Sequence, residues 1–206
     1  MEAGTQRIDG RSLRYDGRRE EILAAVTRYV LDHGVADLSL RPLADAVGVS
    51  HATLIKHFGS KEGVIVAVMG RLRTQALPVS MRDALPDRVD GAAVMAAYWE
   101  AWKRPDYRSG VRLSFEIYGL ALHQPERYED FIDGMYGAWF DTVGAIIAAA
   151  GCPADELDTT VTFLVAVTRG LMMDWLANPD GRDRVDAAFA GYLETIAERQ
   201  RHWAAA

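Results

Sequence analysis

The side chains that most often carry out chemistry in proteins are scattered along this chain. The five histidines are His33, His51, His57, His123 and His202. His51 and His57 share one short segment, but their spacing of six residues is poor for two ligands of one metal ion. The single cysteine, Cys152, can form neither an internal disulfide nor a cysteine-rich zinc site. The sequence contains no phosphate loop, HExxH motif or GxSxG elbow. We therefore expect no catalytic residues, no metal site and no cofactor.

The segment that spans residues 39–61 carries several hydroxyl and basic side chains and reads SLRPLADAVGVSHATLIKHFGSK. Ser39 and Ser50 are good N-caps for two short helices, and Gly48 permits a tight turn between them. This is the layout of a helix-turn-helix. Leu54 and Phe58 would anchor the second short helix from below. The residues left around its exposed face are His51, Ala52, Thr53, Ile55, Lys56 and His57. Such a helix fits the major groove of DNA.

Helical periodicity dominates the chain and predicts an all-α fold of about nine helices. The first four helices are expected at about residues 18–33, 40–47, 51–57 and 61–76, with Gly34 ending the first and Ser60 capping the fourth. Prolines at 78 and 86 mark the connection that follows. Five more helices are expected at about 87–103, 109–123, 126–150, 155–178 and 182–203. We predict an N-terminal arm and three-helix DNA-binding domain over residues 1–60, and a helical ligand-binding and dimerisation domain over residues 61–206.

The predicted helix at 155–178 is apolar on more than one face. One stripe comprises Leu157, Val161, Leu164, Val165, Thr168, Leu171, Met172 and Trp175. Phe163, Val167 and Met173 lie off that stripe, which predicts a covered second face and a two-fold homodimer. The alternative is a helix central to a monomeric bundle. Arg169 and Asp174 interrupt the apolar run, so we expect no membrane span. The last helix carries a stripe of Val185, Ala188, Phe189, Tyr192, Leu193 and Ile196.

The net charge of −6 is unevenly distributed. Residues 1–62 contain nine basic and nine acidic side chains, whereas residues 63–206 contain 14 basic and 20 acidic ones and carry all of the excess. Between residues 7 and 19, the arginines at 7, 11, 14, 18 and 19 are accompanied by only two aspartates. A basic arm beside a compact domain is typical of a protein with a polyanionic partner. A solubilising tail is the alternative interpretation.

The helix-turn-helix segment, extended to LSLRPLADAVGVSHATLIKHFGSKEGV, resembles the signature of the TetR family of transcriptional regulators, over about residues 15–70. Towards the C-terminus, GLMMDWLANPDGRDRVDAAFAGYL is similar to the family segment whose two helices form a four-helix bundle with the partner subunit. The resemblance implies that recognition-helix residues contact phosphates or bases, and that a lysine opening the fourth helix grips phosphate. The residues we predict to bind DNA are Arg41, Ser50, His51, Thr53, Lys56, His57 and Lys61.

Ile55 departs from the family pattern. It stands where the family often has a tyrosine that touches the DNA backbone. The isoleucine side chain cannot donate a hydrogen bond. Two roles therefore stay open for Ile55, which are contact with a thymine methyl group and packing within the protein.

The aromatic side chains are concentrated in the second part of the chain, since 16 of the 19 lie after residue 62. An apolar, aromatic-lined cavity is the usual form of a small-molecule site. The predicted ligand-binding residues are Trp99, Trp102, Phe115, Tyr118, Trp139, Met172 and Trp175, and plain core packing is the alternative for each. Polar candidates for orienting a ligand are Glu116, His123 and Arg169.

Together these features predict a cytoplasmic, ligand-responsive DNA-binding regulator. The favoured form is a dimeric repressor that a small molecule of unknown identity releases from a palindromic operator. The rival is a helical small-molecule-binding protein without operator recognition. The salt dependence of DNA binding separates the two, because a genuine DNA binder loses affinity steeply as salt rises.

Overall fold

The computed structural model describes residues 10–76 and 89–205. The predicted proline-marked connection at 78–86 and the arm residue Arg7 lie outside the described residues. Within the described ranges the chain forms nine α-helices and no strand, which confirms the predicted all-α class. The helices are α1 (Gly10–His33), α2 (Leu40–Ala46), α3 (His51–Phe58), α4 (Lys61–Ala76), α5 (Gly91–Lys103), α6 (Pro105–His123), α7 (Glu129–Ala149), α8 (Leu157–Ala177) and α9 (Arg182–Ala205). Two 3₁₀ turns, Pro125–Arg127 and Pro179–Gly181, precede α7 and α9.

Helices α1 and α6 begin earlier than predicted, whereas α5 begins at Gly91 rather than near residue 87 and α7 at Glu129 rather than near residue 126. Helix α1 begins at Gly10 rather than near residue 18, because adding turns to an existing helix costs little even where no apolar stripe marks them. Helix α6 begins at Pro105, which the sequence places in the gap before a helix at residue 109. Proline is well suited to the first helical position, since the amide hydrogen that it lacks would be unpaired there anyway.

The helix caps in the first part of the chain follow the sequence, with one exception. Ser50 Oγ accepts a hydrogen bond from the Thr53 amide at 3.1 Å, and Ser60 Oγ accepts one from the Gly63 amide at 3.1 Å. Ser39 occupies the N-cap position of α2 with extended backbone angles, but its side chain makes no capping hydrogen bond. Gly34 and Gly48 have φ angles of 75° and 71°, as expected for the glycines that end α1 and α2.

The chain divides into two compact units, with the boundary between Leu72 and Arg73. The core of the first unit combines an apolar stripe of α1 with one or two buried residues from each short helix. Its buried side chains include Ile22, Val26, Val30, Leu43, Leu54, Val64, Ile65 and Val68. Leu40 and Val47, at the two ends of α2, are half-buried. The functional division that we predict at residue 60 concerns the roles of the two parts and stays a prediction.

The core of the second unit lies between α5, α7, α8 and α9. Tyr192 of α9 donates its buried hydroxyl to the Leu164 carbonyl of α8 at 2.9 Å. Gln200 of α9 caps the start of α5, because its amide oxygen accepts from the Gly91 amide at 3.0 Å and its amide nitrogen donates to the Val89 carbonyl at 2.6 Å. The two Gln200 bonds satisfy backbone groups at the start of α5 that have no helical partner.

Helix α8 has one buried face and one exposed apolar face. Phe163 and Met173 are 46% and 47% exposed, although both side chains are large and apolar. Val167, predicted to lie with them, is half-buried against the core. On α9, Ala188 is exposed rather than part of the buried stripe. Among the described residues, α8 is the one helix whose length and apolar composition would suit a membrane span, a property that the core helices of soluble proteins share.

Candidate nucleic-acid interface and aromatic cluster

Helix α3 is short and buries only Leu54 and Phe58. Its N-terminus is closed by a compact cap, in which Ser50 Oγ lies 3.1 Å from the Thr53 amide and 2.8 Å from Thr53 Oγ1. Because two residues hold the helix from one side, the remaining positions surround its outer face. The outer face of α3 is therefore exposed and its N-terminus is fixed by the cap, as is required of a helix that enters the major groove.

All seven predicted DNA-binding residues lie in the first unit, on α2, on α3 with its cap, or at the start of α4. Ser50, His51 and Lys56 are exposed, whereas Thr53 and His57 are half-buried. Arg41 is exposed on α2. Lys61 is half-buried, and its ammonium group donates to the Ala36 carbonyl at 3.4 Å. Ile55 is among the exposed large apolar residues, so packing alone does not account for its side chain.

His57 lies in a positively charged environment at the end of α3. Burial lowers the pKa of its imidazole below the ordinary value of 6.5, and the charges of Lys56, Arg19 and Arg18 lower it further. The guanidinium of Arg19 stands 5.4 Å from the centroid of the Phe58 ring, within the range of a cation–π contact. The sequence places Arg18 and Arg19 in the basic arm and at the start of the first predicted helix, but no local spacing reveals a contact between α1 and α3.

The junction between α3 and α4 is tightly specified by two glycines. Gly59 has φ 77° and ψ −58°, and the Ser60 amide donates to the Phe58 carbonyl at 2.9 Å across it. These are the angles and the hydrogen bond of a γ-turn, which a residue with a Cβ adopts only with strain. Gly63 lies so close to Phe58 that a Cβ on it would collide with the Phe58 carbonyl oxygen. The junction therefore fixes the position of α4 relative to the C-terminal end of α3.

In the second unit, three tryptophans from α5 and α8 form a compact cluster. The Trp102 ring stands nearly perpendicular to those of Trp99 and Trp175, with centroid separations of 5.1 and 5.2 Å. Trp99 also stacks on Phe189 of α9 at 4.0 Å. The indole nitrogen of Trp102 is buried and has no hydrogen-bond partner among the described residues. A buried donor without a partner is costly and calls for an explanation.

The predicted ligand-binding residues share one region of the second unit. Trp99, Trp102, Met172 and Trp175 are buried in its largest core cluster, while Phe115 and Trp139 are half-buried against it. Tyr118 is half-buried, and Arg169 lies over its ring at 5.2 Å and donates to its hydroxyl at 3.4 Å. Of the other polar candidates, Glu116 is half-buried, but His123 is exposed, which counts against its predicted role in orienting a buried ligand.

Sequence reasoning missed a polar network beside these tryptophans. Asp186 of α9 accepts hydrogen bonds from Trp99 Nε1 at 2.6 Å and from Lys103 Nζ at 3.1 Å. Burial acts to raise the pKa of this carboxyl, but the bonds from Trp99 and Lys103 outweigh it and leave the pKa below its ordinary 3.8. Lys103 also pairs with Glu100 at 2.7 Å. Asp186 is more than 80 residues from both Trp99 and Lys103 in the sequence. Only the expectation that the buried Trp99 donor needs a partner could therefore have predicted this network.

Family models match both units of the chain. Residues 22–68 match the model described as bacterial regulatory proteins, tetR family, and residues 86–196 match the model of a tetracyclin repressor-like C-terminal domain.

In the described residues no group of three or more His, Cys, Asp or Glu side chains could hold a metal ion.

Individual proteins are similar over most of the chain. The transcriptional activator FasR of Mycolicibacterium smegmatis is 32% identical over 190 residues, covering 90% of this chain and 84% of that protein. The transcriptional repressor BdcR of Escherichia coli K12 is 26% identical over 171 residues, covering 79% and 84%. A crystal structure of the multidrug binding protein EbrR with ethidium is 27% identical, with a TM-score of 0.65 over 89% of this chain and 98% of that one.

Proposed function

The chain belongs to the TetR family of bacterial regulatory proteins, and from this premise we propose that seven residues of its first unit bind operator DNA. The chain is a ligand-responsive, DNA-binding transcriptional regulator that works as a homodimer. The proposed DNA-contact set is Arg41, Ser50, His51, Thr53, Lys56, His57 and Lys61. The observation that supports this assignment is the exposure of the outer face of α3. Only Leu54 and Phe58 of this helix are buried, and Ser50 caps its N-terminus.

The chemistry of each residue suits a different part of the duplex. Lys56 and Lys61 supply the positive charge that neutralises phosphates, which is the main electrostatic source of DNA affinity. Arg41 on α2 is a further phosphate contact. His51 and Thr53, near the start of α3, can reach base edges, since the first residues of a recognition helix enter the groove. In the DNA-free protein the neutral imidazole of His57 is favoured at pH 7, because its pKa is lowered below 6.5.

The second unit, in this proposal, binds the effector at the tryptophan cluster. The supporting observation is that the indole nitrogen of Trp102 is buried and has no hydrogen-bond partner among the described residues. An acceptor atom on a ligand would supply that partner. EbrR, a similar protein described as multidrug binding, was crystallised with ethidium, which is a planar aromatic cation, and this supports a ligand of that kind. We propose an effector with an aromatic body for this chain, held by Trp99, Trp102 and Trp175 with Met172 beside them.

Regulation is proposed to be repression relieved by the effector, although the similar proteins include both an activator and a repressor. Effector binding would shift α4, which begins at Lys61, and so change the spacing of the two recognition helices in a dimer. Adjacent major grooves need a separation of about 34–36 Å, so a modest shift weakens binding. The protein would act in the cytoplasm and without enzymatic activity, like the transcriptional regulators it resembles.

DNase I footprinting on the DNA upstream of the chain's own gene tests the DNA-binding part. We expect one protected region with approximate two-fold symmetry. Lys56→Ala should need more protein for the same protection, and its salt dependence should be shallower by about 0.9 for each phosphate that the variant no longer neutralises. Arg201→Ala, which removes an exposed charge from α9, is the matched control and should behave as the wild type. Identical protection by the Lys56 variant and the wild type would contradict the assigned interface.

Titration of the DNA-free protein with ethidium tests the effector part. Tryptophan fluorescence should be quenched saturably in the wild type, and Trp102→Ala should weaken binding because it removes one of the aromatic rings against which the planar probe would stack. The absence of saturable quenching in the wild type would overturn the proposed class of effector and leave the DNA-binding proposal standing.

A further inference from the structure

Helix α3 exposes an apolar pair of side chains on its outer face. Four residues of the helix are exposed, namely His51, Ala52, Ile55 and Lys56, and two of the four are apolar. Ala52 and Ile55 are three positions apart and are therefore neighbours on the helix surface. At 3.6 residues per turn, they lie between His51 and Lys56. The apolar pair is thus flanked by polar side chains that belong to the proposed DNA-contact set.

Ile55 is exposed although α3 is already held in the core by Leu54 and Phe58. Among the described residues of the first unit, the large apolar residues that stay exposed are Ile55, at 39%, and Val66 of α4, at 36%. An apolar side chain is stabilised when a contact removes it from water. Ile55 would therefore gain free energy from a partner that brings an apolar group to the outer face of α3.

The major groove of DNA contains an apolar group that suits this side chain, the C5 methyl of thymine. The other groups that distinguish the base pairs in the groove are hydrogen-bond donors and acceptors, with which the side chain of Ile55 cannot bond. A β-branched side chain in a helix has one strongly preferred χ1 rotamer, so Ile55 loses little conformational freedom when it makes a contact. Ala52 beside it is small and leaves room for a base edge to approach.

We propose that Ile55 is a specificity-determining residue, which contacts the methyl group of one thymine in each half-site of the operator. This rests on the proposed function, because the contact requires α3 to occupy the major groove. Lys56 adds affinity by neutralising phosphate, which carries no sequence information directly, whereas Ile55 adds a preference for thymine at one position. A homodimer presents Ile55 twice, so the two thymines should be related by the two-fold symmetry of the operator.

Fluorescence anisotropy of the full chain on its footprinted operator, with each thymine replaced in turn by uracil, tests the proposal. Uracil lacks the C5 methyl group but keeps the base pairing and the O4 acceptor of thymine. We expect affinity to fall by about fourfold when the contacted thymine of one half-site is replaced, and by about 15-fold when both are replaced. The fourfold change corresponds to the roughly 0.8 kcal/mol contributed by one buried carbon group.

Ile55→Ala separates the role of this side chain from that of its neighbours. The variant should bind the thymine and uracil duplexes with nearly equal affinity, because alanine is too short to reach the methyl group. Val66→Ala is the matched control, since Val66 is similarly exposed but lies on α4, outside the proposed DNA-contact set. It should keep the wild-type ratio of affinities. Each ratio compares two duplexes bound by one protein, so a change in the amount of folded protein cancels.

The possible outcomes separate this proposal from the proposed function. Wild-type protein that binds every uracil-substituted duplex as tightly as the operator would overturn the role of Ile55. The same conclusion would follow if Ile55→Ala kept the wild-type ratio, or if Val66→Ala lost it to the same extent. In these cases the proposed function stands, provided that the wild type prefers the operator over a scrambled duplex. If it shows no such preference at any salt concentration, the proposed function fails and the role of Ile55 fails with it.

Discussion

His57 shows how a single residue of the interface takes its properties from neighbours on two helices. Burial and the charges of Lys56, Arg19 and Arg18 all disfavour the protonated imidazole, so its pKa lies below 6.5 in the folded protein. An unfolded chain has a histidine pKa near 6.5 and therefore binds more protons at this residue as the pH falls. The stability that His57 contributes is thus fully present above pH 6.5 and declines as the pH falls through the folded pKa.

An NMR titration of the His57 ring in the DNA-free protein measures this effect directly. We expect a pKa below 6.5 in the wild type and a higher value in Lys56→Gln, because that variant removes one of the charges that repel the proton. Operator DNA should raise the pKa, since a phosphate favours the protonated ring. A wild-type pKa at or above 6.5 without DNA would contradict the described surroundings of His57.

At the scale of elements, the cap of α3 and the cap of α2 make a matched pair. Ser50 Oγ accepts from the Thr53 amide, whereas the Ser39 side chain makes no capping bond. We expect Ser50→Ala to lower the free energy of unfolding by about 1 kcal/mol, and Ser39→Ala to lower it by much less. Urea unfolding followed by circular dichroism compares them. Equal decreases in the two variants would show that the Ser50 bond does not determine the stability of α3.

The junction between α3 and α4 offers a second test at this scale. Gly63→Ala places a Cβ against the Phe58 carbonyl oxygen, a backbone atom that cannot move without shifting the end of α3. We expect a lower melting temperature and weaker operator binding. Gly17→Ala in α1 is the control, because nothing lies within 4 Å of its added Cβ, and alanine favours a helix over glycine by about 0.8–1.0 kcal/mol. If Gly63→Ala is as stable as the wild type, residue 63 does not lie as close to the Phe58 carbonyl oxygen as described.

The elements that the sequence predicted well are those specified by local patterns. Apolar spacing located most of the helices, and the serines and glycines located the helix-turn-helix. The contacts it could not predict join residues far apart in the chain. Arg19 on Phe58, Gln200 at the start of α5, and Asp186 bound by Trp99 and Lys103 are examples. Helical periodicity places a residue on a face but does not say which distant element covers that face.

At the scale of the whole molecule, we propose that the exposed apolar face of α8 provides the surface for the homodimer. Exposed residues recur along it at spacings of three and four, namely Phe163, Ala166, Gly170, Met173 and Ala177. The small residues among them permit a close approach of helices, and the two large ones supply apolar area to bury. A two-fold interface would cover the same face on both protomers.

Met173→Glu tests this arrangement by placing a charge on the face. We expect a smaller oligomer by light scattering and a large decrease in operator affinity, because a monomer cannot hold two recognition helices on one palindrome. Leu122→Glu is the control, since Leu122 of α6 is 73% exposed but lies off this face. It should remain dimeric and bind the operator normally. A dimeric Met173 variant, or a monomeric Leu122 variant, would place the interface elsewhere.

The central claim is that the first unit reads operator DNA through α3. The most direct measurement is fluorescence anisotropy of the wild-type protein with the DNA upstream of its own gene and with a scrambled duplex, across a salt series. The account predicts tight binding to the native duplex, weaker binding to the scrambled one, and a steep decrease in affinity as salt rises. Equal, weak and salt-insensitive binding to both duplexes, repeated across wider genomic DNA, would contradict it and favour a helical ligand-binding protein without operator recognition.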